Sequence, residues 1–145
     1  IKQSYRKAPF VGDVVDVIEP LICDKNIRLL SELNIALIKK ISSLLELDTQ
    51  FKLSSDMVSN GKRTDYVISL CDEVNAKAYL SPVGARDYLL ADKFEDKTDT
   101  NLFFQDYEAK AYLQVGGVRE FLRNLSIVDV MASIGIQSTA EYIKK

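Results

Sequence analysis

Four groups of residues in this 145-residue chain have types and spacing suited to chemistry. Ser54, Ser55 and Asp56 follow the short apolar run Phe51-Lys52-Leu53. Hydroxyls and a carboxylate there could hydrogen-bond a sugar or ribose, although Ser and Asp also serve simply as turn residues. Gly61-Lys62-Arg63-Thr64 stands before a helical pattern. Two cations, a hydroxyl and free backbone N–H groups at a helix N-terminus suit an anion such as phosphate. The spacing is not that of a Walker A loop, and Thr64 could equally be the helix cap. Ser81-Pro82-Val83-Gly84-Ala85-Arg86 is the sharpest local signal. A strand-like run ends, Pro82 and Gly84 turn the chain, and a short helix begins with an arginine. Gly84 would let a ligand approach the backbone, and Arg86 could hold a phosphate or carboxylate bidentately; the competing reading is a solvated Arg86-Asp87 pair. Gln105, Asp106 and Tyr107 close a further apolar run, with Tyr112 and Gln114 a few residues on. Asp106 is the acidic candidate for a general base there.

The elements that must position these residues follow from periodicity. Val14, Val15, Val17, Ile18, Leu21 and Ile22 predict a helix over 12–23, with Pro20 as a kink or stop. Leu30, Leu33, Leu37, Ile41, Leu44 and Leu45 predict a second over 28–47. Val67, Leu70, Cys71 and Val74 mark the buried face of a helix over 63–75. A short helix is expected over 85–90, and the charged stretch 91–100 reads as a solvated loop. Ser126-Ile127-Val128-Asp129 resembles a capping box and opens a helix ended by Gly135; Asn124, Ser126 and Asp129 are explained as that cap. Ser138 to Glu141 repeats the signature. Phe51–Leu53, Lys77–Leu80 and Leu102–Phe104 read as strands, 112–114 as extended, and Gly116-Gly117 as a break. Strands joined by a helix of this length pair in parallel, and ligands of open α/β sheets bind at the carboxyl ends of such strands. The expected fold is therefore one α/β domain over 1–145. It has a small, mainly parallel three-stranded sheet, five to six helices and a helix-rich amino-terminal half.

Composition narrows the chemistry. The chain has no histidine, which removes Ser-His-Asp and Cys-His mechanisms and the commonest metal ligand. Neither a metal nor a cofactor is expected. The net charge of −2, with no basic run, argues against nucleic acid as a partner. No run approaches the roughly 20 apolar residues of a membrane span. Cys23 and Cys71, outside any CxxC spacing, read as buried thiols of a reducing compartment, and the expected location is the cytoplasm. The chain opens on Ile1 rather than Met, so an upstream segment is expected.

Several phrases, in order, resemble the carboxyl-terminal part of WbqC-like proteins. They are Tyr5-Arg6-Lys7-Ala8-Pro9-Phe10, Leu33-Asn34-Ile35-Ala36-Leu37-Ile38, Ser54-Ser55-Asp56 with Gly61-Lys62-Arg63-Thr64, and Tyr79-Leu80-Ser81 with Gly84-Ala85-Arg86-Asp87-Tyr88-Leu89. Phe104-Gln105-Asp106-Tyr107, Tyr112, Gln114 and Asn124-Leu125-Ser126-Ile127-Val128-Asp129 complete the set. The resemblance implies a transferase of surface-polysaccharide (O-antigen) biosynthesis. It would move an aminoacyl (glycyl-like) or acyl group onto a nucleotide-linked amino sugar, the expected small-molecule partner. Lys62, Arg63 and Arg86 would then hold phosphates or a carboxylate. Ser55, Asp56, Gln105 and Tyr107 would hydrogen-bond the sugar or acyl donor. Two departures stand out. The family's His-Pro pair before the tyrosine matching Tyr112 is replaced by Lys110-Ala111, and the LLFNxG ending reads Val130-Met131-Ala132-Ser133-Ile134-Gly135. They favour an alternative, a non-catalytic ligand- or partner-binding module of the same pathway. A third reading is a nucleotidyl transferase-like enzyme that draws catalytic residues from the upstream segment, where the family's HQPxYLPWxGxF-like start would lie.

Overall fold

The computed structural model describes residues 1–115 and 120–144. The chain forms two compact units, Ile1–Gln50 with Ala109–Lys145, and Phe51–Glu108. Among the described residues there are seven α-helices, two short 3-10 turns and a two-stranded sheet.

The first unit is helical. Helix α1 (Val11–Ile22) buries Val14 and Ile18, one turn apart on the inward stripe. Pro20 lies in its last turn, where it forgoes the hydrogen bond to the carbonyl four residues back, and the helix runs two residues beyond it. Helix α2 (Leu30–Leu44) is shorter than its periodic pattern. The Glu32 carboxylate accepts the N–H groups of Arg28 and Leu29 and so fixes its start, and Glu46, at φ 53°, turns the chain out just past its end. Helices α6 (Ile127–Ile134) and α7 (Ile136–Ile143) meet at Gly135. Gly135 has φ +84°, and the Phe10 ring lies 3.3 Å from where a Cβ would stand, so only glycine fits. The predicted start at Ser126 is present, its hydroxyl accepting the Val128 N–H at 3.2 Å. The last helix is longer than the stretch 138–141. Ala8, Val14, Ile18, Leu45, Met131, Ala132 and Ala140 make the core of this unit. Gly116-Gly117 lies outside the described residues, and 112–114 carries no strand pairing.

The second unit holds the sheet. Strands β1 (Ala78–Ser81) and β2 (Asn101–Phe104) pair in parallel, Ala78 against Asn101 through Ser81 against Phe104. The three-stranded expectation is corrected to two. Phe51-Lys52-Leu53 makes no ladder, and the chain turns at once into the 3-10 turn Ser54–Asp56. The connection that makes the parallel pair is therefore not α3 (Thr64–Glu73) but the segment after β1, with α4 (Arg86–Ala91) and α5 (Phe94–Lys97). Helix α5 falls in the stretch expected to be a solvated loop. Its one large apolar residue, Phe94, is 1% exposed and lies in a core with Ala85 and Leu89. Burying such a side chain contributes about 1.5–3 kcal/mol, enough to outweigh the charge around it. Val67 and Ile68 of α3, Tyr79 of β1 and Leu102 and Phe104 of β2 pack on that core. Cys71 is buried as expected, but Cys23 is exposed at the end of α1. Among the described residues no helix is long and apolar enough to cross a membrane.

Candidate functional site

The strand ends of the second unit bring several of the expected residues together. The β1–β2 pairing continues one step past the strands, with the Gln105 N–H donating to the Ser81 carbonyl at 2.8 Å. Ser81 is itself fully buried, its hydroxyl donating to the Pro82 carbonyl at 3.2 Å. After Pro82, the 3-10 turn Val83–Ala85 leads into α4, so Arg86 begins that helix beside the end of β2. The Arg86 guanidinium lies over the Phe104 ring, 4.6 Å from its centroid. Arg86 is exposed and makes no ion pair among the described residues. Stacking on Phe104 holds the planar fork in place while leaving its edge free. A Cβ on Gly84 would meet nothing within 4 Å, so the backbone there is open. Asp106 and Tyr107 follow, both exposed.

The residues at the start of α3 are arranged differently. Arg63 has φ 54° and is the residue before the helix. Its Nε lies 3.4 Å from Asp92 Oδ2, and its guanidinium lies 5.6 Å from the Tyr88 ring centroid. Thr64 is 1% exposed and donates to the same Asp92 oxygen at 2.8 Å. Both side chains thus tie the start of α3 to the end of α4. Lys62 is exposed. Gly61 makes the preceding turn at φ +88°, where a Cβ would stand 2.8 Å from that of Asp65. The 3-10 turn of Ser54, Ser55 and Asp56 is exposed, with the Ser55 hydroxyl donating to Asp56 Oδ1 at 3.2 Å. Ser54 and Ser59 hydrogen-bond the Tyr66 phenol and hold its pKa below the usual tyrosine value.

Tyr112 and Gln114 belong to the other unit, where they form a second cluster. The Tyr112 hydroxyl donates to Asp129 Oδ1 at 2.6 Å. Gln114 Nε2 donates to the Tyr112 oxygen at 3.3 Å and to the Leu122 carbonyl at 2.8 Å, while its Oε1 accepts the Leu122 N–H at 2.9 Å. Phe121 and Tyr142 meet the Tyr112 ring edge-on at 5.3 and 5.5 Å. Burial, reinforced by the Asp129 carboxylate, pushes the Tyr112 phenol up to about 12. Burial, followed by the Asp129 carboxylate, also raises the pKa of the Tyr5 phenol. Asp129 is 5% exposed. Its expected part in the helix cap is a correction: Ser126 alone supplies the side-chain cap, and Asp129 turns inward to the Tyr112 phenol. The sequence did carry a signal, since Asp129 interrupts the apolar run Ile127–Ile134. Ser133, one turn further along α6, has a buried hydroxyl with no hydrogen-bond partner among the described residues.

Among the described residues no group of three or more His, Cys, Asp or Glu side chains is placed to hold a metal. The WbqC-like protein family profile matches residues 1–141. An uncharacterized protein of Mycobacterium tuberculosis (strain ATCC 25618 / H37Rv), Rv1507c, is 26% identical over 136 residues, which is 93% of this chain and 58% of that protein. The chain thus spans 58% of the length of this relative. No solved structure matches.

Proposed function

This chain belongs to the WbqC-like protein family, and from that premise we propose that it is part of a transferase of surface-polysaccharide biosynthesis. The enzyme moves an aminoacyl or acyl group onto a nucleotide-linked amino sugar. The observation that carries this reading is Arg86, an exposed arginine stacked on Phe104 at the carboxyl end of the parallel pair. A guanidinium held in that way suits bidentate contact with phosphate oxygens. Lys62 adds a second, mobile-stemmed cation near the start of α3. Ser55, Asp56, Gln105 and Tyr107 supply donors and acceptors for sugar hydroxyls or the acyl donor. Asp106 serves as the base: the amino nitrogen bonds to the acyl carbon, the donor's leaving group departs with the electron pair, and the nitrogen's proton passes to the carboxylate.

Isothermal titration of the chain with a UDP-linked amino sugar tests this. Wild type should bind, and Arg86→Ala should weaken binding by roughly ten- to a hundredfold, the value of a charged hydrogen-bonded contact. No heat from wild type, or equal affinity for the variant, would count against the reading. The departures at Lys110-Ala111 and Ser133 favour a second reading, a binding module without catalysis. Nucleotide-sugar binding without acyl transfer by the full-length protein would support it.

A further inference from the structure

We propose that the outer face of the β1–β2 pair is a docking surface for the apolar stripe of a helix supplied by the part of the protein outside these 145 residues. Successive side chains of a strand point to opposite faces of its sheet. Tyr79, Leu102 and Phe104 turn to the core of the second unit, where they pack on Ala85, Leu89 and Phe94. Leu80 and Phe103 therefore share the opposite face, and the register sets them directly side by side. Leu80 is 64% exposed and Phe103 56% exposed. Ala78 and Asn101, the other residues of that face, are exposed as well.

Strand direction sets the kind of occupant. Sheets of parallel strands occur almost only with both faces covered, because helices of the crossover connections lie on them. Here the connection through α4 and α5 covers one face, with Leu89 and Phe94. Neither strand holds a charged residue or a proline, the residues by which strands meant for water are guarded. A helix with apolar side chains at every third or fourth residue fits a paired leucine and phenylalanine. The chain spans 58% of the length of Rv1507c, so that relative has chain beyond the match from which such a helix can come. A second copy fits less well, since Leu80 and Phe103 fall far short of the roughly 800 Å² per partner of a stable interface. A tethered segment docks intramolecularly and needs less area. The surface does not depend on the reading of Arg86.

Hydroxyl-radical footprinting of the wild-type full-length protein reads the exposure of Leu80 directly. Leu89, at 0% exposure, is the buried reference, and the urea-unfolded protein is the exposed one. Leu80 should be protected to the level of Leu89. Phe103→p-benzoylphenylalanine then identifies the occupant. On irradiation it should crosslink within one chain, to residues outside these 145 that lie three or four apart. Labelling of Leu80 near the unfolded level would overturn the proposal, as would crosslinks to a second copy or to residues of Ile1–Lys145. Loss of Leu80 protection on dilution would do the same, because it would mean a second copy. Should the crosslinking variant fail to fold, Leu80 labelling of wild type across a dilution series decides. Neither measurement contains a ligand, so the result is separate from that of the UDP-sugar titration.

Discussion

Asp92 is the point at which the start of α3 is tied to the end of α4, and its replacement separates two interactions that share one oxygen. Thr64 donates to Asp92 Oδ2 at 2.8 Å from a position 1% exposed. Arg63 lies 3.4 Å from the same oxygen, with 64% of its side chain exposed. Thr64 is the first residue of its helix, so no intrahelical carbonyl four residues back can take its hydroxyl proton. In Asp92→Ala the hydroxyl is left buried without an acceptor, at about 1–3 kcal/mol. The exposed ion pair adds only about 0–1 kcal/mol. Asp92→Asn keeps an oxygen for Thr64 and removes the charge, so it should cost about 1 kcal/mol or less. The expected order is therefore Ala, at about 2 kcal/mol, well above Asn. In a Thr64→Val background the Ala substitution should cost only what the ion pair contributes, because both hydrogen-bond partners are then apolar. Native-state hydrogen exchange of the α3 amides is the suitable assay, since it reads the second unit by itself. Equal costs for Ala and Asn, or an Ala cost unchanged by Thr64→Val, would refute the assignment of the stability to the Thr64 hydrogen bond.

Gly61→Ala should destabilise the α3 start by about 1–3 kcal/mol, through a positive φ and a 2.8 Å approach to Asp65 Cβ. Gly84→Ala, with open space around it, should change stability by no more than about 1 kcal/mol; the two melts measured side by side check both. The Tyr112 phenol, at about 12 in the folded chain against 10.0 as the ordinary value, links stability to alkaline pH. Its folded pKa is raised, so its contribution is whole below pH 10 and is lost as pH rises from 10 towards 12. Tyrosinate absorbance should show a late-titrating phenol that disappears in Tyr112→Phe.

Helix positions were legible from local pattern. The apolar spacing in 12–23 and 63–75 and the Ser126 and Gly135 signals each describe a helix that forms close to those limits. Such signals are local: a helix satisfies its own backbone, and its buried stripe recurs every 3.6 residues. Phe51–Leu53 shows why strands are different. The residues have strand character, but a ladder needs a partner, and none among the described residues takes that role. Phe94 carries the opposite lesson, because one ring in a charged stretch leaves no periodic trace although it fills a core.

The order of its phrases, its lack of histidine and its near-neutral charge are properties of the sequence alone, and they suffice to suggest the family and to show that these 145 residues contribute no imidazole. The polar character of the strand ends was equally visible there. The tertiary structure decided which of those polar groups remain available. Arg86 keeps an open edge over Phe104, whereas Thr64 is taken up by Asp92, 28 residues away, and Asp129 leaves the helix cap for Tyr112, 17 residues away. The physical reason is that a side chain's type limits what it can bind, while burial and partners far along the chain determine whether that capacity is spent inside the fold or kept for a ligand.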